Sequence, residues 1–274
     1  PVLIPYTISP WLILFSTIFL HARIFSMESR DNFTIVPWFL LGLSTFFILM
    51  FITAPYGKFT NKSWGPLMSF KLGWFIQEII SPVIFSYFFL TGTIETKSIA
   101  WIFFILWNLH YFNRSIIFPI RKKEDSLCPV IVVLMAITFN IINGFINGYY
   151  IGNIFQYSND YIYSLQFILG MSLFLIGLII NLKSDNMLLK LKFEGKGYKI
   201  PRGFLFKKIS CPNYFGEIIE WFGFAIMTWS IPAFLFFLWT AFNLIPRAIS
   251  HHKWYKLKFQ DYPKNRKAII PFIW

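Results

Sequence analysis

The sequence predicts an all-α integral membrane protein, built as a bundle of seven transmembrane helices. Its 274 residues are 56% apolar and 22% aromatic, and only 14% are charged. An ordinary soluble domain has about 25% charged residues. Several apolar runs of about 20 residues are long enough to cross a hydrocarbon core of about 30 Å. Lysine and arginine are concentrated in alternate loops between these runs. These observations exclude an ordinary soluble globular domain.

Eight apolar runs are candidates for the transmembrane helices. They lie near residues 8–26, 36–54, 74–91, 98–118, 129–150, 163–181, 215–230 and 232–249. We predict that residues 35–274 form one membrane domain. Residues 1–34 are predicted to be a hydrophobic N-terminal segment, either an extra transmembrane helix or an interfacial helix.

The distribution of basic residues predicts the orientation in the membrane. Of the 25 lysine and arginine residues, 21 lie in four loops, at residues 55–73, 119–128, 182–214 and 246–274. Short cytoplasmic loops are enriched in these residues, so we place the four loops in the cytoplasm. The formal charge of +13 therefore follows the membrane topology and does not indicate a nucleic-acid partner.

Two further expectations concern the source of the protein and its longest loop. Residue usage rich in isoleucine, lysine, asparagine and phenylalanine suggests an AT-rich genome and a bacterial source. The expected location is then the bacterial inner membrane, or the endoplasmic reticulum if the source is a eukaryote. The loop at 182–214 mixes apolar with basic residues, so we expect it to be ordered and not a free tail.

Costly polar residues converge at the cytoplasmic ends of the apolar runs. They are Glu78, Tyr111, Arg114, Asn181, Asp185, Asn213, Glu217, Glu220, Arg247, His251, His252 and Tyr255. Basic side chains can extend to lipid headgroups, which would explain Arg247. Acidic side chains within a membrane usually face the bundle interior or a cavity. The carboxylates Glu78, Glu217 and Glu220 therefore predict a polar cavity that opens towards the cytoplasm.

Several common kinds of site find no support in the sequence. Cys128 and Cys211 form no CxxC motif, and we interpret them as reduced thiols. With four histidines and no HExxH motif, a metal site is not expected. No GxGxxG follows a strand, so any nucleotide must be held by a different architecture. The cavity would suit an anionic cofactor from the cytoplasm and an apolar substrate from the bilayer.

The polar residues lie in motifs that resemble those of one known family. The C-terminal stretches "NYFGEIIEWFGFAIMTWSIPAFLFFLW" and "PRAISHHKWYKLKFQDYPKNRKAIIPFIW" are similar to the C-terminal region of the steroid 5α-reductase family. Upstream, "WFIQE", "LHYFNRS", "NGYY", "NLKSDNMLLKLK" and "GYKIPRG" occur in the family's order. The resemblance covers roughly residues 35–274. It implies a seven-helix membrane enzyme that uses NADPH to reduce the C4–C5 double bond of 3-oxo-Δ4-steroids.

The resemblance also implies roles for individual residues. Glu78 and Tyr111 would be catalytic and would engage the C3 carbonyl of the substrate. The cofactor-binding set would be Trp74, Arg114, Asn181, Asp185, Tyr198, Asn213, Glu217, Arg247, His251 and Tyr255, with Glu220 as a supporting contact. The sequence has Lys192 and Lys199 where the family commonly has arginine, and Asn113 and Ser250 where it has histidine. Lysine binds phosphate without a bidentate fork.

A mechanism follows from these implied roles. Hydride transfer to C5 places negative charge on the C3 oxygen, and donors already aimed at that oxygen lower the barrier. Tyr111 can donate from its hydroxyl, whereas Glu78 can donate only when it is protonated. We therefore expect Glu78 to be neutral in the working complex.

Three alternatives remain open at this point. One is a reductase of another lipid enone, a polyprenol or an enoyl thioester. A second is a membrane methyltransferase of the isoprenylcysteine type, which would bind S-adenosylmethionine. The third is a transporter, although no paired halves with broken segments are evident. The partners expected are a lipophilic steroid-like substrate from the bilayer and membrane lipid, with no obligate protein partner evident.

Overall fold

The fold is α-helical with one small pair of strands. The computed structural model describes residues 32–122, 126–193 and 197–271. Its main elements are α1 (Asn32–Phe51), β1 (Leu67–Ser69), α2 (Phe70–Leu90), α3 (Ala100–Phe112), α4 (Phe118–Arg121), β2 (Leu127–Pro129), α5 (Val130–Tyr149), α6 (Leu165–Phe193), α7 (Pro212–Thr228) and α8 (Ile231–Lys258). Residues 32–41 belong to one compact unit, and the chain from Gly42 onward forms a second. The predicted division at residue 35 stays a prediction.

Within the described residues, four helices are long and apolar enough to cross a membrane. They span Phe70–Leu90, Val130–Ile154, Leu165–Leu191 and Ile231–Lys258. A shorter apolar helix covers Ile35–Phe51. These helices support the all-α membrane class, and the chain is treated below as an integral membrane protein. The count of seven spans stays a prediction, because α3 has 13 residues and α7 has 17.

Helices α2 and α5 begin together and run parallel. Strands β1 and β2 pair antiparallel immediately before them. Ser69 caps α2, because its hydroxyl accepts a hydrogen bond from Leu72 N at 3.2 Å. Further along, the two backbones approach closely at glycine: a Cβ added to Gly144 would lie 3.0 Å from Ser81 O. This close packing fixes the depth of Glu78 on α2.

Helices α6 and α7 pack antiparallel, and glycines again permit the approach. A Cβ on Gly177 would lie 2.6 Å from Glu220 Cα, and one on Gly216 would lie 2.5 Å from Asn181 N. Larger residues would force these helices apart. The glycine contacts therefore place the polar residues of α6 beside Glu217 of α7.

Aromatic side chains fill the core beyond this polar level. Trp107 of α3 stacks on Phe85 of α2, with ring centroids 4.5 Å apart. Trp221 of α7 packs on Phe236 of α8 at 4.4 Å. All four side chains are buried, and aromatic pairs at such distances add to the stability that burial gives. The core thus closes the polar region from one side.

The structure corrects several predicted boundaries. The apolar run predicted at 163–181 ends too early, because α6 continues to Phe193. Asn181 and Asp185 thus lie inside a helix, and the first part of the predicted loop at 182–214 is helical. The rest of that loop contains a short 3-10 helix, Phe204–Lys207. The run at 98–118 is divided by a π-helical turn, Asn113–Ile117. The run at 8–26 lies outside the described residues.

Candidate functional site

Five side chains from the π-helical turn after α3, from α6 and from α7 form what we call the acid–amide cluster. They are Arg114, Asn181, Asp185, Asn213 and Glu217. Arg114 Nη1 donates to Asp185 Oδ2 at 3.3 Å, and its Nη2 lies 3.7 Å from Glu217 Oε2. Asn213 Nδ2 donates to Asp185 Oδ1 at 3.0 Å, and Asn181 Nδ2 to Glu217 Oε2 at 3.2 Å. Each carboxylate thus has both an ion pair and an amide donor, the condition under which charge tolerates burial.

Trp74 holds Arg114 from the α2 side. Its indole Nε1 donates to Arg114 O at 3.0 Å, and the guanidinium carbon of Arg114 lies 4.9 Å from the ring centroid of Trp74. Arg114 belongs to the π-helical turn that follows α3. Such turns are frequent at functional sites. From this turn, the Arg114 side chain contacts Trp74 on one side and Asp185 and Glu217 on the other.

Glu78 and Tyr111 lie next to this cluster. Gln77 Nε2 donates to Glu78 Oε1 at 3.0 Å, and Asn140 of α5 donates to Gln77 O at 2.6 Å. Arg114 is an electrostatic neighbour of Glu78, and Glu78 is one of Tyr111. The Tyr111 side chain is 4% exposed. The hydrogen bond from Trp74, one helical turn before Glu78, to Arg114, three residues after Tyr111, places this carboxyl group and this phenol at the same level of the bundle.

A buried side-chain hydrogen bond joins α3 to α7. His110 Nδ1 lies 2.8 Å from Glu220 Oε1, and the two residues are 3% and 0% exposed. Within the part of the chain that the structure describes, Glu220 Oε2 has no hydrogen-bond partner. Glu220 is thus buried against His110, a partner that was not predicted, and its role as a supporting contact of the cofactor site stays a prediction. The signal was present in "LHYFNRS", where this histidine directly precedes Tyr111.

A second group of side chains, the basic–aromatic cluster, lies around the last turns of α8. Its members are Lys58, Tyr198, Arg247, His251, Trp254 and Tyr255. Lys58 Nζ lies 3.7 Å from the ring centroid of Trp254 and 4.4 Å from that of Tyr255, within cation–π range. The ring of Tyr198 meets Trp254 edge-on at 5.0 Å, and Tyr198 is 44% exposed. This cluster combines positive charge with exposed aromatic surface.

Arg247 and His251 connect the basic–aromatic cluster to α7. Arg247 Nε donates to Tyr214 OH at 3.2 Å, and its Nη2 donates to Tyr56 O at 3.2 Å. The ring of His251 meets that of Tyr214 at 5.7 Å. His251 Nε2 is buried and has no hydrogen-bond partner among the described residues. Because Tyr214 directly follows Asn213, the two clusters meet at the start of α7.

The segment after α8 supports the start of α7 from the other side. Ser210 N donates to Lys267 O at 2.8 Å, and Cys211 N donates to Ala268 O at 3.2 Å. Burial raises the pKa of the Cys211 thiol to about 12, although nearby cations act in the opposite direction. Cys211 and Cys128 are both free and buried. No group of three potential metal ligands occurs among the described residues.

The structure brings the predicted site residues together in two groups. The first group is the acid–amide cluster, whose five members were all predicted, with Trp74 beside it. The second group consists of the predicted members of the basic–aromatic cluster, which are Tyr198, Arg247, His251 and Tyr255. Their predicted roles towards substrate and cofactor stay predictions. Lys58 was not predicted as a site residue, since a lysine in a basic loop carries no distinguishing signal. The side chain of Lys192 lies outside the part of the chain that the structure describes.

The fold and the site define a helical integral membrane protein with a buried polar site at one end of its bundle. The chain belongs to the 3-oxo-5-alpha-steroid 4-dehydrogenase family, whose model matches residues 126–274. It is therefore an oxidoreductase of the class that acts on CH–CH groups. The resemblance seen in the sequence motifs is confirmed.

Relatives from plants and mammals align with most of the chain. It is 41% identical over 258 residues to steroid 5-alpha-reductase DET2 of Gossypium hirsutum, covering 91% of this chain and 99% of that protein. It is 41% identical over 245 residues to the Arabidopsis thaliana protein of the same name, covering 85% and 92%. It is 35% identical over 229 residues to 3-oxo-5-alpha-steroid 4-dehydrogenase 1 of Rattus norvegicus, covering 81% and 87%. A bacterial source finds no support in these matches.

Proposed function

We propose that this protein reduces the C4–C5 double bond of a 3-oxo-Δ4-steroid, with NADPH as the hydride donor. The observation that carries the proposal is the placement of Glu78 and Tyr111 beside the acid–amide cluster. Relatives named for this activity cover most of the chain. Family membership in an oxidoreductase class disfavours the methyltransferase and the transporter. A polyprenol or enoyl thioester reductase has no specific observation in its favour.

The cofactor site proposed here uses both clusters. The amides Asn181 and Asn213 and the carboxylate Glu217 offer donors and acceptors that a carboxamide such as that of nicotinamide requires. His251 Nε2 is a buried polar atom without a partner among the described residues, and such atoms are usually satisfied by a ligand or water. Lys58 and Arg247 supply positive charge for phosphates. These residues fit a nicotinamide dinucleotide.

The steroid is proposed to place its C3 carbonyl at Glu78 and Tyr111. When bound, NADPH would supply the hydride that adds to C5, and a proton taken up from water at C4 would complete the reduction. Negative charge then develops on the C3 oxygen, where the Tyr111 hydroxyl donates a hydrogen bond. A protonated Glu78 donates a second one. Because Tyr111 is buried, these hydrogen bonds act in a region that excludes bulk water, where they lower the barrier most.

The protein is proposed to be an integral, multi-pass membrane protein with its cofactor site on the cytoplasmic side. The substrate is proposed to enter from the bilayer, since a steroid is lipophilic. Lys58 and Arg247 of the basic–aromatic cluster come from loops that the charge distribution assigns to the cytoplasm. NADPH is preferred over NADH because the cytoplasmic loops are strongly basic, although Lys192 and Lys199 replace family arginines.

Product analysis tests the proposal. Detergent-purified protein is incubated with NADPH and progesterone or testosterone, and the steroid is analysed by mass spectrometry. We expect a product two mass units heavier, formed together with NADPH oxidation. If NADPH stabilises the protein to heat but neither steroid is reduced, the substrate is to be sought among other lipid enones. The absence of both turnover and stabilisation would contradict the proposal.

A further inference from the structure

Two side-chain pairs connect α3 and its π-helical turn to α7. His110 pairs with Glu220, and Arg114, four residues later, pairs with Glu217, three residues earlier on α7. Residues three or four apart share one face of a helix. Both pairs therefore lie along one contact, in which α3 and its π-helical turn run antiparallel to α7. Tyr111 lies between them in the sequence of α3.

The His110–Glu220 pair differs from the Arg114–Glu217 pair, because the proposed function gives neither His110 nor Glu220 a direct contact with substrate or cofactor. Both residues are almost fully buried, whereas the Arg114 and Glu217 side chains are 11% and 14% exposed. A buried ion pair is weak evidence for stability, since apolar replacements of similar volume are often neutral or stabilising. One carboxylate oxygen of Glu220 also has no partner among the described residues. A purely structural explanation of this pair is therefore unsatisfactory.

The pair lies directly against the Tyr111 ring. The imidazole of His110 meets the Tyr111 ring edge-on, with centroids 5.1 Å apart. Trp221, the neighbour of Glu220, lies 4.6 Å from the His110 ring and 6.0 Å from the Tyr111 ring. On the remaining side, Trp107 lies 5.4 Å from Tyr111. Three rings thus enclose the phenol, and the hydrogen bond to Glu220 fixes the orientation of one of them.

We propose that His110 and Glu220 are positioning residues, which hold the Tyr111 hydroxyl at the carbonyl oxygen of the substrate. This inference rests on the proposed function, because it assigns the pair a task in the same reaction. The hydrogen bond between His110 and Glu220 sets the angle of the imidazole. The imidazole in turn limits the movement of the Tyr111 ring. The same bond links the helix that carries Tyr111 to the helix that carries Glu217 of the acid–amide cluster.

Four variants test the positioning role by steady-state kinetics. Glu220→Gln keeps a hydrogen-bond partner for His110, whereas Glu220→Leu and His110→Leu remove it. The double variant H110L/E220L leaves no unpaired charge and should fold where the single leucine variants fail. A displacement of about 1 Å can cost about 10²-fold in rate, so we expect kcat to fall on the order of 10²-fold in H110L/E220L. Glu220→Gln should retain most of the activity.

Tyr157→Phe is the matched control. It removes a buried 2.7 Å hydrogen bond, from Tyr157 OH to Thr228 O, far along the bundle from Tyr111. It should lower heat stability without changing kcat. The Kd for NADPH should stay close to the wild-type value in H110L/E220L, because the cofactor loses no direct contact.

A second readout does not depend on turnover. Heat stabilisation by a saturated 3-oxo-steroid, which keeps the carbonyl but cannot be reduced, should be weaker in H110L/E220L than in Glu220→Gln or Tyr157→Phe. Recovery of both wild-type stability and wild-type kcat in H110L/E220L would overturn the positioning role and leave the proposed function intact. A wild-type protein that neither reduces nor binds any 3-oxo-steroid would overturn both.

Discussion

The acid–amide cluster and the basic–aromatic cluster adjoin each other at the start of α7, yet different forces hold them. In the first, Arg114 pairs with two carboxylates, and amides from α6 and α7 complete the network. In the second, Lys58 lies against aromatic rings, and Arg247 donates to a phenol and to backbone carbonyls. The first cluster contains one cation between two carboxylates, and the second contains two cations and no acidic member.

The difference indicates a division of labour. A network of mutual ion pairs and hydrogen bonds has little freedom to move, so it suits the part of a site where reacting atoms must be aligned. Cations that no acidic side chain of their cluster neutralises suit a flexible, anionic part of a ligand. Loss of the first cluster should therefore affect folding and turnover, and loss of the second should affect cofactor affinity. The predictions below test this distinction in order of decreasing effect.

Arg114→Leu should have the largest effect. It leaves Asp185 and Glu217 without their common cation, and breaking a buried ion pair costs about 3–5 kcal/mol. We expect a large fall in the thermal denaturation midpoint in detergent. The matched control is Arg202→Leu, because Arg202 pairs with Asp261 at the same distance, 3.3 Å, but both side chains are about 70% exposed. That control should change stability little. If both variants lowered the denaturation midpoint equally, burial would not be the reason why Arg114 stabilises the protein.

Tyr111→Phe should leave folding and NADPH affinity unchanged but lower kcat. Removal of one donor to a developing oxyanion costs on the order of 10²–10³-fold. The measurement is turnover of progesterone at saturating NADPH, with the Kd for NADPH determined separately. A normal kcat in this variant would remove the Tyr111 hydroxyl from the mechanism.

Lys58→Gln should weaken the affinity for NADPH without a comparable loss of kcat. A hydrogen bond from a lysine to a charged phosphate oxygen contributes about 1.5–3 kcal/mol. Because salt screens exposed charges, the Kd of the wild-type protein should rise with ionic strength more steeply than that of the variant. Titration at several salt concentrations measures both slopes. Identical slopes would show that Lys58 does not contact the phosphates.

Modification of Cys211 gives the smallest effect. The thiolate is the reactive form, and a pKa of about 12 keeps the thiol protonated at pH 8. We expect iodoacetamide to label Cys211 in denatured protein but only slowly in folded protein, in a Cys128→Ser background. Mass spectrometry of the labelled peptide measures the rate. Rapid labelling of folded protein would show that the start of α7 opens readily.

The sequence predicted much of this site because costly polar residues in apolar runs are easy to detect. Glu78, Glu217 and Arg114 were singled out by depth alone, and their convergence is present in the structure. The length of α6 was predicted wrongly, since Lys183 and Asp185 end the apolar run but not the helix. The pairing of His110 with Glu220 was not predicted, because it depends on how α3 packs against α7, which neither motif shows by itself.

The most direct test of the central claim is a comparison of Glu78→Gln and Glu78→Ala. Both variants are assayed for reduction of progesterone at saturating NADPH, with heat stability measured to establish folding. If Glu78 acts as a neutral donor to the C3 oxygen, glutamine can replace part of that hydrogen bond, and Glu78→Gln should retain substantially more activity than Glu78→Ala. Equal loss of activity in two folded variants would contradict the account.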